Sequence, residues 1–151
     1  MNANPRRLIS PTYFNSFILF AIILHFIFPI QTVVGFPLML AGTIPLIIGM
    51  FMNLHARRTL REKGTTDAFS GIPQALITEG FFRYSRNPMY LGGIIFSLGL
   101  AIVLGSLVSF VFPIALFMLL HFLYIPNEEN RLRSIFGKEY HAYEKRVRRW
   151  I

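Results

Sequence analysis

The chain has 151 residues, 54% of them hydrophobic and 15% charged, with 16 Phe and no Cys. Soluble domains carry roughly 25% charged residues, so this chain lacks the polar surface of one; without Cys it holds no disulfide, thiolate nucleophile or thiolate metal site. The net charge of +8, from 15 Lys and Arg against 7 Asp and Glu, would suit nucleic acid or an acidic membrane surface, and the placement of the charges selects the membrane.

Two stretches, Ser10 to Leu54 and Asn87 to Asn127, hold no Lys, Arg, Asp or Glu. Each is about twice the ~20 residues that cross a bilayer, so each is read as a pair of membrane helices. The first divides at Gln31 to Gly35 into apolar segments 13–30 and 36–54, roughly 27 and 28 Å long at ~1.5 Å per residue. A cleavable signal peptide is a poor reading of the first segment, because a second apolar segment follows directly and no small-residue cleavage site precedes the turn. The second stretch divides at Gly105 and Ser106 into segments 89–104 and 107–125. Gly92, Gly93, Ser97 and Gly99 leave the third segment narrow enough for another helix to approach closely. The expected fold is all-α: a polytopic membrane protein forming a single domain over residues 1–151, with four transmembrane helices in two hairpins, a cytosolic loop and amphipathic C-terminal helices.

Two basic residues precede the first segment, six lie between the second and third, and seven follow the fourth, so neither tight turn carries one. By the positive-inside rule both termini and the 55–88 loop face the cytosol. All seven acids lie on that side too, which places polar chemistry at the cytosolic face. The loop begins as a basic helical extension through Lys63, passes Gly64 to Gly71 and resumes at Pro73 to Phe82; its length marks it as functional or partly structured. In the tail, Gly137 is an expected helix C-cap. Phe136, Tyr140, Tyr143, Val147, Trp150 and Ile151 interleave there with Lys138, Lys145, Arg146, Arg148 and Arg149. Spacings of three and four predict an amphipathic helix lying on the membrane.

The four His are too scattered for a zinc motif, and there is no phosphate-binding glycine loop, so metal and nucleotide-hydrolysis readings have no support. Arg83, Tyr84, Ser85, Arg86, Asn87, Pro88 and Tyr90 stand where the third helix enters the membrane, and Pro88 suits a first helical turn. The free N–H groups of that turn and the Arg side chains make a local anion site; the plainer alternative is that Arg83 and Arg86 anchor the helix to headgroups. His121, Tyr124, Glu128 and Leu132 share one helical stripe, with Glu129 beside it. The two acids either pair with Arg131 or Arg133 or accept from ligand hydroxyls or an amine. Pro126 frees a carbonyl one turn back, opening the helix near a ligand. His25 and His121 lie inside spans, where a hydrogen bond to another helix accounts for His25.

The run from Leu76 to Gly92, with Arg86-Asn87-Pro88-Met89-Tyr90-Leu91-Gly92 at its end, resembles the R-(H/N)-P-x-Y-x-G region of the isoprenylcysteine carboxyl methyltransferase family, which is related to membrane phospholipid methyltransferases. Glu128-Glu129-Asn130-Arg131-Leu132, Phe136-Gly137-Lys138-Glu139-Tyr140 with Tyr143, and Arg149-Trp150-Ile151 are similar to its E-E-x-x-L, F-G-x-E-Y-x-x-Y and R-W-I elements. The resemblance covers about residues 72 to 151. It implies a membrane-embedded enzyme that takes S-adenosylmethionine from the cytosol and methylates a lipophilic acceptor arriving through the bilayer. Arg83, Arg86, Asn87, Tyr90, Gly92, Glu128, Glu129, Tyr140 and Arg146 are then the expected cofactor-binding residues, and Arg86, Glu129 and His121 the catalytic candidates. Asn87 stands where the prenylcysteine enzymes usually have His.

That cofactor carries a carboxylate, an ammonium, a ribose diol and an aromatic base. Arg86 or Arg83 could hold the carboxylate, Glu128 or Glu129 the diol or amine, and Tyr90, Tyr140 or Trp150 could cover the base. The acceptor is a prenylcysteine-like carboxylate, a thiol or a phospholipid amine, and only the amine needs a base such as His121 or a Glu. The rival readings are an NADPH-dependent membrane reductase with a related C-terminal hairpin, and a non-catalytic membrane scaffold whose charges only meet headgroups.

Overall fold

The computed structural model describes residues 18–20, 22–23, 25–27, 32–65 and 72–151. Among these the structure is helical, with one isolated bridge, Thr32 to Ser106. A 3-10 turn, Leu38–Gly42, leads into α1, Thr43–Glu62; a second, Gly80–Arg83, precedes α2, Pro88–Leu104. Helix α3, Leu107–Leu119, runs through a π-helical turn, Leu120–Tyr124, into α4, Ile125–Phe136, and α5, Lys138–Arg146, follows. Of the expected span 13–30, the described residues 18–20, 22–23 and 25–27 are helical, and the others lie outside the described residues.

Leu38–Glu62 and Leu107–Phe136 are each long and apolar enough to cross a membrane, and only 11% and 33% of their most apolar windows are buried within the protein. Side chains such as Phe36, Leu38, Ile44, Ile47, Ile114 and Phe122 point outward. So much apolar surface needs lipid around it, and this is a membrane protein. Helix α2 is apolar but shorter.

Glycine decides how the helices meet. A Cβ added at Gly49 would lie 2.4 Å from the Gly92 carbonyl oxygen, and one at Gly99 would lie 2.8 Å from that of Gly42. The paired positions run in opposite directions along the two chains, so α1 and α2 are antiparallel and in backbone contact, as small residues at membrane-helix seams allow. At the end marked by Gly42 and Gly99, the two uncharged turns come together: Val33 and Val34 donate their N–H groups to the Gly105 carbonyl, at 2.8 and 3.1 Å. Gly105 has φ +68°, and a Cβ there would strike the Val34 carbonyl. Beside it His25 Nδ1 is 2.7 Å from Ser106 Oγ, the contact to another element expected of a histidine within a span. At the opposite end Asn53 Nδ2 donates to the Met89 carbonyl, 3.0 Å, and every charged residue of the described chain lies toward this end.

Candidate active site

The site is built where α2 begins. Pro88 occupies its first turn, needing no N–H partner there. Asn87 precedes it but makes no side-chain cap. Instead its Nδ2 donates to the Arg149 carbonyl, 3.1 Å, which also accepts from Ser85 Oγ at 3.4 Å. Ser85 Oγ in turn accepts from Asn87 N, 3.1 Å, and Arg86 N donates to the Arg148 carbonyl, 3.0 Å. Since a carbonyl can only accept, the amide orientation of Asn87 follows from its partner.

Around this turn lies a cluster of five charges from four parts of the chain. Glu129, on α4, is 2% exposed. Arg149 approaches it with two parallel bonds, Nε to Oε1 at 3.1 Å and Nη2 to Oε2 at 2.7 Å, the fork geometry that suits a carboxylate. Arg86 Nη2 lies 3.2 Å from Glu129 Oε1, and Arg133 Nη2 lies 3.6 Å from Oε2. Glu144, on α5, accepts from Arg86 Nη1 at 2.8 Å and from Arg133 at 2.5 and 3.2 Å. The hydrogen bonds from Arg133, reinforced by Arg86, hold the Glu144 carboxyl at about 2. Arg86 Nε is buried and is the one buried side-chain polar atom without a hydrogen-bond partner among the described residues.

Tyrosines close the cluster. Burial pushes the Tyr140 phenol up to about 12, with the Glu129 carboxylate adding to the rise. Tyr143, likewise raised by burial, donates to the Phe82 carbonyl at 2.6 Å. With Val147 they form a buried patch against Leu76, Leu132 and Phe136. The apolar stripe of α5 therefore faces protein rather than lipid, and the helix expected to continue through Ile151 ends at Arg146, with Val147 extended. The chain turns there because the Arg148 and Arg149 carbonyls serve Arg86, Ser85 and Asn87 as acceptors.

Beside the cluster opens a cleft. Leu60, Leu76, Ile77, Met89 and Leu132 are among its apolar lining residues; Arg86, Asn87, Tyr90, Glu128 and Tyr140 are among the polar ones. Tyr90 Oη donates to Glu128 Oε2, 2.8 Å. A cationic and an anionic side chain thus line the same cleft as several apolar ones, a mixture suited to a zwitterion and to hydrocarbon.

The sequence profile of the phospholipid methyltransferase family matches residues 37–139. The chain belongs to this family. The protein-S-isoprenylcysteine O-methyltransferase of Schizosaccharomyces pombe is 38% identical over 73 residues, 48% of this chain and 30% of the relative. Protein-S-isoprenylcysteine O-methyltransferase B of Arabidopsis thaliana is 33% identical over 72 residues, 48% of this chain and 36% of the relative. The chain thus matches about a third of the length of these curated relatives. An uncharacterized protein of Haemophilus influenzae is 33% identical over 63 residues, 42% of this chain and all of the relative.

Within this phospholipid methyltransferase family member, the expected residues separate into groups. Arg86, Asn87, Tyr90, Glu128 and Tyr140 line one cleft, and Glu129 braces Arg86 from behind it. Gly92 lies in the seam with α1, Arg83 and Arg146 are exposed, and none of the three is on the cleft wall. His121 sits in the π-helical turn, where Nδ1 accepts from Trp150 Nε1 at 3.1 Å and its ring stacks on Phe117. That turn directly precedes Pro126, whose missing N–H disturbs the helix as expected, and Asn127 Nδ2 reaches back to the Leu123 carbonyl at 2.6 Å. Sequence reasoning passed over Glu144, although its spacing of four from Tyr140 sets an acid on the apolar stripe of α5. The Arg148 and Arg149 carbonyls gave no signal, since main-chain acceptors carry no residue identity.

Proposed function

We propose that the chain is a membrane-embedded S-adenosylmethionine-dependent methyltransferase acting on a lipophilic acceptor, with four spans and with both termini and the cleft on the cytosolic side. The observation that carries this reading is a cleft lined by both ionic and apolar side chains, Arg86 and Glu128 among the former. The guanidinium of Arg86, on this cleft, is suited to the carboxylate of S-adenosylmethionine. Glu128, on the same cleft, can accept from the ammonium or ribose hydroxyls, while Tyr90 and Tyr140 offer aromatic cover for the base. Glu129 is already engaged by three guanidiniums, so its role is to hold Arg86 and not to contact ligand. When bound, the cofactor supplies an electrophilic methyl group on a sulfonium. The protein's part is alignment and exclusion of water, because in-line displacement needs reacting atoms roughly 3 to 3.5 Å apart.

The wall chemistry narrows the acceptor. No histidine lines the cleft among the described residues, and His121 is occupied by Trp150. An acceptor that arrives anionic, a carboxylate or thiolate on a lipid chain, needs no base, whereas an amine would have to lose its proton to Glu128. The geometry favours the anionic acceptor. The apolar wall of Leu60, Leu76, Ile77, Met89 and Leu132 is suited to its hydrocarbon.

Calorimetry of the full chain in lipid nanodiscs tests the cofactor. S-adenosylmethionine should bind at one site and Arg86→Ala should abolish that binding; binding of NADPH in its place would support a reductase and sink this reading. Topology is testable because the chain has no Cys. A single Cys at Gly35 and one at Lys63 should be labelled by an impermeant maleimide from opposite faces.

A further inference from the structure

Residues 148–150 touch the start of α2, Glu129 on α4 and the π-helical turn without lining the cleft. The Arg148 carbonyl accepts from Arg86 N, and the Arg149 carbonyl takes Asn87 Nδ2 and Ser85 Oγ. The Arg149 side chain forks onto Glu129. Trp150 donates to His121, lies against Phe117, and packs on the cluster of Leu116, Leu120 and Ile125 together with Tyr90, Ile94 and Tyr124. One short extended segment thereby joins the N-terminus of α2, the face of α4 and the π-helical turn.

We infer that this segment is a strap that completes the cofactor site, with Arg149 as its positioning residue. The inference rests on the reading of the cleft proposed above. Two physical consequences support it. First, the fork from Arg149 uses both Glu129 oxygens, so Glu129 is held facing Arg86, and Arg86, committed at both Nη atoms to Glu129 and Glu144, is left with Nε as its unused donor. Second, the Arg149 carbonyl takes one of the two N–H donors of the Asn87 amide and so fixes which way the amide faces, with Oδ1 as its acceptor for a ligand in the cleft it lines. The strap therefore fixes the two polar residues at the start of α2 that line the cleft, the guanidinium of Arg86 and the amide of Asn87. That pairing is complementary to a carboxylate beside an ammonium.

Trp150 is the chain's sole tryptophan, so its emission reports on the strap alone. The full chain in phosphatidylcholine nanodiscs is titrated with S-adenosylmethionine by calorimetry, with Trp150 fluorescence recorded in parallel. Arg149→Lys keeps the charge and loses the fork; Asn87→Asp keeps the shape and sets an acceptor against the Arg149 carbonyl; Lys145→Gln, on the exposed side of α5, is the control. Both site variants should weaken binding by about tenfold or more, the scale of one charge-assisted hydrogen bond. Arg149→Lys should also shift Trp150 emission to longer wavelength, while Lys145→Gln changes neither. Circular dichroism confirms that each variant is folded, and Asn87→Asp decides the matter if Arg149→Lys is not. Wild-type binding that both variants retain in full, or an unmoved Trp150 emission in folded Arg149→Lys, overturns the strap and leaves the cofactor reading standing. Failure of the wild-type chain to bind S-adenosylmethionine overturns that reading and the strap with it.

Discussion

The two ends of α2 are held by opposite physics. Along its length, at Gly92 and Gly99, it meets α1 through backbone contact, and no atom can be added. At its beginning, Ser85 to Pro88, it meets α4, α5 and the strap through charges and main-chain carbonyls, and no charge can be removed without stranding another. In lipid, apolar burial gives helices no preference for each other over solvent, so close approach and dispersion hold the seam. At the membrane edge Glu129 and Arg86 are almost fully buried, so each depends on the other's charge. The first region is intolerant of size and the second of neutralisation.

Removing a charge should have the larger effect. Glu129→Gln leaves three guanidiniums short of a counter-charge and is expected to destabilise the charged end by about 3 kcal/mol. Hydrogen exchange should show α4 and α5 losing protection while the α1–α2 seam keeps it, and uniform loss would erase the distinction between the two regions. The reciprocal experiment is Gly49→Ala, whose added methyl meets the Gly92 carbonyl and the Phe96 amide nitrogen at 2.4 Å. Its expected penalty is about 1 to 3 kcal/mol, read as a lower thermal midpoint with protection lost first along α1 and α2.

Smaller changes sharpen the contrast. Tyr90→Phe removes the phenol that donates to Glu128 at 2.8 Å, and should weaken S-adenosylmethionine binding by about 1.5 kcal/mol with little change in melting temperature; an unchanged affinity would take Tyr90 and Glu128 out of the binding wall. The least effect is expected from acid. Glu144 is held at about 2, below its ordinary 4.5, so the stability it adds is present above about pH 4.5 and is lost as pH falls towards 2. Circular dichroism melts across that window should fall for the wild type and be flatter for Glu144→Gln, whereas Gly49→Ala should follow the wild-type slope.

Much of the seam was legible beforehand. Gly92 and Gly99 stood out as small residues in an apolar run, and their placement against another helix follows from the need for close contact in lipid. Arg86 and Glu129 were legible as charges needing a reason at a membrane edge, and they meet at 3.2 Å. What was not legible is how completely Glu129 is used. Arg133 was a foreseeable partner one turn away, but Arg149, twenty residues on, was read as part of a helix against lipid. That stripe instead buries Tyr140, Tyr143 and Val147 against Leu76 and Leu132. Periodicity identifies an apolar face without identifying what covers it.

The amino-acid order alone determined the membrane setting, most of the helical elements and the segregation of the described charges to one end, because these follow from local composition and the length of an apolar run. Tertiary structure decided which charges share a carboxylate, which residues reach the cleft, and that main-chain carbonyls of the last residues orient Asn87. These depend on distances between segments far apart in the chain, and a carbonyl oxygen is the same at every position until folding brings a donor to it.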